Sequence, residues 1–531
     1  MFTTTRNYGV SQPICTAMPT KEDLDATTKL QQALTALNVF ETEKELTKRV
    51  AVLASLNYIV ANWIQQTAKA LGMPDEKAAR VGGKLHAFGS YGIGAHTRGA
   101  DIDTVCVAPR HVNRADFFCT FLAMLKADEN AMDVHAVEGA FVPVIKLTYS
   151  GVEIDMLFAR LDLDEIPEDL DLTDTALLKK MDEKSVRSLN GLRLCKEILG
   201  CVPNRETFTT ALRAIKVWAK NRSIYSNALG FLGGVSWAIL VARTCQLYPN
   251  AAAATIVNKF FFLYSNWKWP HPIVLKNADG NCTTTASLDA LVWNPQTNVS
   301  DRYHVMPIIT PTYPEQNSTF NVTKSTLRII MKEIKEGLET TNAIAAGTST
   351  WKQLLEPMNY FSQYRHYVCL QCSAATKDDL TAFAGLIESR IRKLVASLER
   401  NHLINFCHVN PKQFAQKDST SPTSLWFIGL EFIQGVKINI DLTNDMQQFA
   451  DMVVKSAVAA NFYKESMIIK AFFTPRTQLS KLISTEDLGR GRHYKMTKRE
   501  SSKPKQESPK TDSRKRKAEI EPSSDVKRCY A

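Results

Sequence analysis

Three carboxylates and a glycine–serine pair carry most of the chemistry in this chain. They fall in Phe88-Gly-Ser-Tyr-Gly-Ile-Gly-Ala-His-Thr-Arg-Gly-Ala-Asp-Ile-Asp103 and in Gly151-Val-Glu-Ile-Asp-Met-Leu-Phe158. Asp101 and Asp103 stand two apart at the start of an apolar run. On a strand such residues share a face, with backbones roughly 7 Å apart. Flexible carboxylates at that spacing can share hard cations. Asp155 alternates with Val152, Ile154 and Met156, so it leaves its strand on the face opposite those apolar neighbours. A lone carboxylate in an apolar strand is costly unless paired or metal-bound. Three converging ones repel, and divalent cations remove the repulsion. Two cations held roughly 3.5–4 Å apart can activate a hydroxyl and steady a pyrophosphate leaving group. Gly89-Ser90 suits a phosphate cradle, because glycine lets backbone N–H groups come close and serine adds a donor. No Gly-Lys-Ser/Thr ending follows, so this is not a P-loop. A glycine hairpin with aspartate caps would explain the Gly-Ser pair alone. It does not explain that pair followed by two spaced acids and a distal third.

The elements that must position these groups alternate. Strands are expected at 84–88, 102–108, 144–149 and 152–160, with a helix at 114–126 and a glycine loop at 81–84, which together make a small α/β unit. Helical periodicity precedes it from 24 to 70, with Leu46, Val50, Leu53, Leu56 and Ile59 as the apolar stripe. Helices are expected again from 184 to 247, the clearest being Ala211-Leu-Arg-Ala-Ile-Lys-Val-Trp218. Beyond Trp351 come strands at 367–372, 403–409, 425–432 and 436–442, with helices at 377–399 and 445–454, an order that suggests a split βαβ sandwich of the RRM kind. The expected class is therefore α/β and α+β multidomain. Its parts are a catalytic domain with N-terminal helices (1–190), a helical middle domain (191–350), an RRM-like domain (351–488) and a disordered basic tail (489–531).

The chain has 531 residues and a formal charge of +11. From Arg490 onward fourteen Lys or Arg face six Asp or Glu, so most of the excess is in the tail. Eleven cysteines lie scattered, as in a reducing compartment. The one close pair, Cys369 and Cys372, sits three apart on an expected strand, facing opposite sides, which disfavours a shared metal. The apolar stretch 229–245 contains Gly-Gly and Arg243 and reads as a buried helix, so no membrane association is expected.

The acid segment resembles the polymerase-beta-type nucleotidyltransferase signature in the form carried by eukaryotic nuclear poly(A) polymerases. The resemblance runs from Tyr8 to about Pro475, through Gly99-Ala-Asp-Ile-Asp103, Cys106-Val-Ala-Pro-Arg-His-Val112, Val152-Glu-Ile-Asp-Met-Leu-Phe-Ala-Arg160, Ser188-Leu-Asn-Gly191, Ile215-Lys-Val-Trp-Ala-Lys220, Ile224-Tyr-Ser-Asn-Ala-Leu-Gly-Phe-Leu-Gly-Gly-Val235 and Met306-Pro-Ile-Ile-Thr-Pro311. That family carries Arg after Gly-Ser-Tyr, where this chain has Gly92.

The resemblance implies a nucleotidyltransferase domain, a helical middle domain and an RRM-like domain. The implied activity is template-independent addition of AMP from ATP to RNA 3′ ends, with two Mg²⁺ or Mn²⁺ ions held by Asp101, Asp103 and Asp155. It implies ATP contacts from Phe88, Gly89, Ser90, Thr97, Lys216, Tyr225, Asn227, Gly234 and Val235. Primer contacts would come from Phe141, Lys146, Gln316 and Asn317. Without the resemblance, Lys216 reads as an ordinary helix lysine and Gly234-Val235 as tight packing, while a turn-forming Asn227, a core Phe141 and a surface Lys146 are as good a reading as the contacts. Expected partners are an RNA 3′ end, ATP and a pre-mRNA cleavage and polyadenylation complex, with the chain monomeric on its own and nuclear. The run Arg514-Lys-Arg-Lys517 is compatible with nuclear import or loose RNA contact. Acids do not select a base, so a uridylyl- or CCA-adding transferase is the nearest alternative. A catalytically silent RNA-binding scaffold is the more distant one.

Overall fold

The computed structural model describes residues 8–277, 286–433 and 440–489. The basic tail past Gly489, and most of the strand expected at 436–442, lie outside the described residues. Two helices open the fold: α1 (Lys21–Ala36) and α2 (Glu43–Ala70), each started by a capping box, Thr20 with Asp23 and Thr42 with Glu45. In α2 the buried face is Arg49, Val52, Leu56, Val60, Trp63, Ile64 and Ala68. The expected stripe is thus corrected: Leu46 and Val50 are 41% and 61% exposed. Val52, Leu56, Val60, Trp63, Ile64 and Ala68 pack into the core against the sheet, and Arg49 on the same face pairs with Glu41, 2.7 Å away.

The N-terminal unit is a five-stranded sheet of β1 (Lys84–Ala87), β2 (Ile102–Ala108), β3 (Ala131–Val137), β4 (Val144–Tyr149) and β5 (Val152–Arg160), in the order β1-β2-β5-β4-β3. Strands β2 and β5 are parallel and the other pairs antiparallel. Helix α3 spans 114–127 with a π-helical stretch at Phe117–Phe121. It packs Phe117 and Phe121 with Trp63 and Phe158 on one sheet face. Strand β3 is not among the expected strands; it is a half-exposed edge strand with little apolar contrast between its two faces.

The middle region is helical: α4 (Glu183–Cys201), α5 (Arg205–Asn221), α6 (Gly234–Leu247), α7 (Ala253–Ser265) and α8 (Lys324–Ala345). Helix α6 is buried along most of its length, Arg243 included. Among the described residues, no helix is long and apolar enough to cross a membrane.

The last part runs β6 (His366–Ser373), α9 (Lys377–Leu398), β7 (Ile404–Val409), β8 (Phe414–Ala415), β9 (Thr423–Phe432), α10 (Thr443–Ala459) and β10 (Ile468–Pro475). Its main sheet order, β10-β6-β9-β7, is antiparallel throughout, as in a split βαβ sandwich. Strand β10, not among the expected strands, completes the unit; it is an edge strand closed by proline. One sheet face packs α9 and α10 around Val368, Leu370, Trp426 and Ile428. The other is covered by Tyr360, Phe361, Tyr364, Phe414, Leu479 and Ile483. Cys372 belongs to the first layer and Cys369 to the second, so the two thiols point to opposite sides as expected.

Candidate active site

Strand pairing brings the acids together. Parallel register sets Asp103 directly beside Asp155, and Asp101 lies just before β2. Carboxylate oxygens of Asp101, Asp103 and Asp155 all lie within 4.8 Å of one another. The face that carries them also carries Val105, Val107 and Ala159, which pack into the core shared with Leu189 and Leu192 of α4. That cover leaves Asp103 and Asp155 only partly buried. The Asp103 carboxyl is pushed up to about 6, first by burial and then by the charges of Asp101 and Asp155. Lys146, opposite Asp155 in β4, forms an ion pair with its Oδ2. Three close carboxylates with one cation at the rim are a donor set suited to divalent metal, since hard cations take oxygen ligands and offset the repulsion.

The loop in front of the acids is held from behind. Gly89 has φ +63, and a Cβ there would run into the Asp103 carboxylate, so glycine is needed. Gly89–Gly92 forms a single helical turn rather than a hairpin. A Cβ at Gly92 would stand 3.1 Å from the Ala87 carbonyl oxygen. Phe88 packs so closely on α4 that a Cβ at Gly191 would meet its ring. From α5, Arg213 donates to the carbonyl oxygens of Gly94 (2.5 Å) and His96 (3.3 Å), and Lys216 Nζ donates to that of Ala95 (3.1 Å). On the other side Arg49 bridges Glu41 and the Ala100 carbonyl oxygen, 2.5 Å away, next to Asp101. These anchors were not legible as site residues. The one available signal for Arg49 was a charge inside an amphipathic helix.

A cleft of about 390 Å³ lies beside the triad, within the range of small-molecule sites. Its walls include Phe88, Gly89, Ser90, Thr97, Asp101, Asp103, Lys216, Tyr225, Gly234 and Val235, so ten of the sequence-derived positions converge there. Lys220 and the apolar Ile93, Leu194 and Ile198, none of them among the expected contacts, line it as well. Lys216 is buried and its pKa falls to about 8, through burial first and then the nearby Lys220 and Arg213 charges. Burial raises the Tyr225 hydroxyl to about 12, so it stays a donor. A Cβ on Gly234 would lie 2.8 Å from Tyr225 Oη, which keeps this wall flat.

The remaining positions lie elsewhere. Asn227 donates to the Ser318 carbonyl oxygen (3.0 Å) and accepts from Asn321 (2.6 Å), so its amide braces a loop. Asn317 is buried, accepting from the Ile308 and Thr319 N–H groups, and Gln316 is joined to Thr310. Phe141 is 72% exposed, with the Arg187 guanidinium 3.7 Å from its ring centre.

Fold and site together define a protein with a nucleotidyltransferase domain followed by a helical domain and an RRM-like domain. Residues 9–202 match the poly(A) polymerase nucleotidyltransferase domain, 207–357 the poly(A) polymerase central domain, and 359–423 the poly(A) polymerase predicted RNA binding domain. The chain is 41% identical over 504 residues to a poly(A) polymerase of Dictyostelium discoideum, covering 93% of this chain and 61% of that protein. It is 41% identical over 454 residues to nuclear poly(A) polymerase 1 of Arabidopsis thaliana, covering 84% and 63% respectively. It is 42% identical over 408 residues to poly(A) polymerase PAPa of Candida albicans, covering 77% and 73%. The chain belongs to the poly(A) polymerase family. It spans about three fifths of the length of the Dictyostelium and Arabidopsis relatives.

Proposed function

We propose that the chain is a template-independent polynucleotide adenylyltransferase, which adds AMP from ATP to RNA 3′ ends and releases pyrophosphate during mRNA 3′-end polyadenylation. The carrying observation is the convergence of Asp101, Asp103 and Asp155 beside a cleft walled by Ser90, Lys216 and Tyr225. Two divalent cations, Mg²⁺ or Mn²⁺, held by the three carboxylates would supply the charge that activates the primer hydroxyl and offsets the departing pyrophosphate. The chain's own groups do the rest. Gly89 keeps the loop close to Asp103, and the Ser90 hydroxyl donates to the triphosphate. Lys216 places a desolvated cation against it, and Tyr225 adds a directional donor. Phe88 and Thr97 shape the adjoining wall. Gly234 and Val235 offer the base an apolar surface, while Asn227 contributes by bracing the loop.

For the primer, the exposed Phe141 ring backed by Arg187 suits stacking of a terminal base, and Lys146 suits its phosphate. Gln316 and Asn317 would act through the loop they order. The domain bounds we propose are 1–190, 191–350 and 351–488, with a basic tail beyond. A nuclear site of action is supported by the Arg514–Lys517 run and by the nuclear relative in Arabidopsis. The proposed partners are the RNA 3′ end and a pre-mRNA cleavage and polyadenylation complex, joined by a chain that is monomeric on its own.

Extension of a short RNA primer with each nucleotide in turn tests this reading. ATP should be incorporated at least about tenfold faster than UTP, CTP or GTP. Preferential UTP incorporation, or addition that stops at CCA, would select the neighbouring transferase class. RNA binding without extension would select a silent scaffold.

A further inference from the structure

Helix α5, which carries Lys216 and Lys220, ends at Asn221, and the chain turns through Ser223 before reaching Tyr225. Ser223 has φ 57, in the left-handed region, where a residue with a side chain is strained unless its surroundings hold it. The loop that follows returns to α6 at Gly234, and Tyr225 pairs with Leu232 across its base. Both ends of this loop therefore feed the nucleotide cleft.

The C-terminal domain grips the loop at three points. His408 of β7 places Nε2 3.3 Å from the Ser223 carbonyl oxygen. The same imidazole meets the Phe231 ring edge-on, with centroids 5.6 Å apart. Arg392 of α9 donates through Nε to the Ala228 carbonyl oxygen at 2.8 Å.

His408 is only 1% exposed, and its other ring nitrogen lies 2.7 Å from the Tyr364 hydroxyl. Burial takes its pKa down to about 3, so the ring is neutral. A carbonyl can only accept, so Nε2 carries the proton and donates to Ser223, leaving Nδ1 to accept from Tyr364. A leucine would fill the same space without ordering a carbonyl 185 residues away in sequence.

We propose that His408 and Arg392 are positioning residues for the nucleotide site. They fix the 223–233 loop so that Tyr225 and Gly234 present one wall to ATP, and the RRM-like domain thereby sets nucleotide affinity. This rests on the assignment of the cleft as the ATP site.

The test uses the full chain carrying Arg392→Ala, Arg392→Lys, His408→Leu and His408→Gln. KM for ATP, KM for RNA and kcat come from primer extension, and the Kd of a fluorescent ATP analogue comes from titration without RNA. Losing one such hydrogen bond should raise KM for ATP and the analogue's Kd about threefold in Arg392→Ala and about tenfold in His408→Leu. We expect kcat and KM for RNA to stay within about twofold. The Gln and Lys variants, which keep a donor, should recover part of the loss. Unchanged ATP affinity in the folded variants would overturn the proposal, as would a fall in kcat that tracks thermal stability. Should His408→Leu fail to fold, the partly exposed Arg392 decides the matter. If the wild-type chain binds the analogue yet extends no RNA, the proposed activity fails while the analogue's Kd still judges the clamp.

Discussion

The two sheets of this protein are built alike and used differently. Each has helices packed on one face and a second layer that covers part or all of the other. In the N-terminal sheet the covering helix α4 meets Val105, Val107 and Ala159, while Asp103, Asp155 and Lys146 stay within reach of solvent. In the C-terminal sheet the second face is closed by Tyr360, Phe361, Tyr364, Leu479 and Ile483. An RRM-type sheet that stacks bases on its open face needs that face free. Here the aromatics on it are spent on packing and on the hydrogen bonds of Tyr360 to the carbonyl oxygens of His408 and Phe427. What each sheet leaves accessible therefore follows from where its covering layer stops.

Substitutions that separate chemistry from packing test this contrast. Asp155→Ala removes one of the three carboxylates proposed to hold the cations and frees Lys146, which is already partly exposed. Primer extension should fall by about a thousandfold or more, while the melting temperature stays within a few degrees, because the change also relieves the repulsion on Asp103. A large drop in melting temperature would mean that the acids are structural. Leu479→Ala should do the reverse. It opens a cavity over the C-terminal sheet at a cost of about 2–4 kcal/mol, seen in thermal unfolding, while kcat at low temperature holds within about twofold. Stronger RNA binding by that variant would show that the sheet is a masked RNA platform.

A smaller effect concerns pH. Lys216 has its pKa lowered to about 8 in the free chain, so its cation is lost as pH rises through that value. A bound triphosphate favours the charged form and holds the proton. Affinity for an ATP analogue should therefore weaken about tenfold between pH 7 and pH 9. Lys216→Met should bind weakly at both and show no such slope; an unaltered slope would assign the titration to another group.

How much of this was legible in the sequence varied with burial. Strands β2, β4 and β5 match their expected residues because each is a run with a buried apolar side. Ser150 and Gly151, with φ 49 and 76, turn the chain tightly between β4 and β5. Edge strands β3 and β10 escaped because partial exposure removes the contrast between their faces. The acids were legible because charge inside an apolar strand has few structural explanations. Phe141 shows the opposite: its sequence context leaves core and surface equally open, and the ring is solvent-facing and stacked under Arg187. The anchors Arg49, Arg213 and His408 were not legible, since each acts on a backbone carbonyl far along the chain, and no local pattern records such a contact.

Titration of the full chain with Mn²⁺ in the presence of a non-hydrolysable ATP analogue, followed by electron paramagnetic resonance, tests the cation site itself. The account predicts about two tightly bound ions per chain, and a loss of that binding in Asp103→Asn with the fold intact. Equal Mn²⁺ binding by Asp103→Asn and the wild-type chain would contradict it.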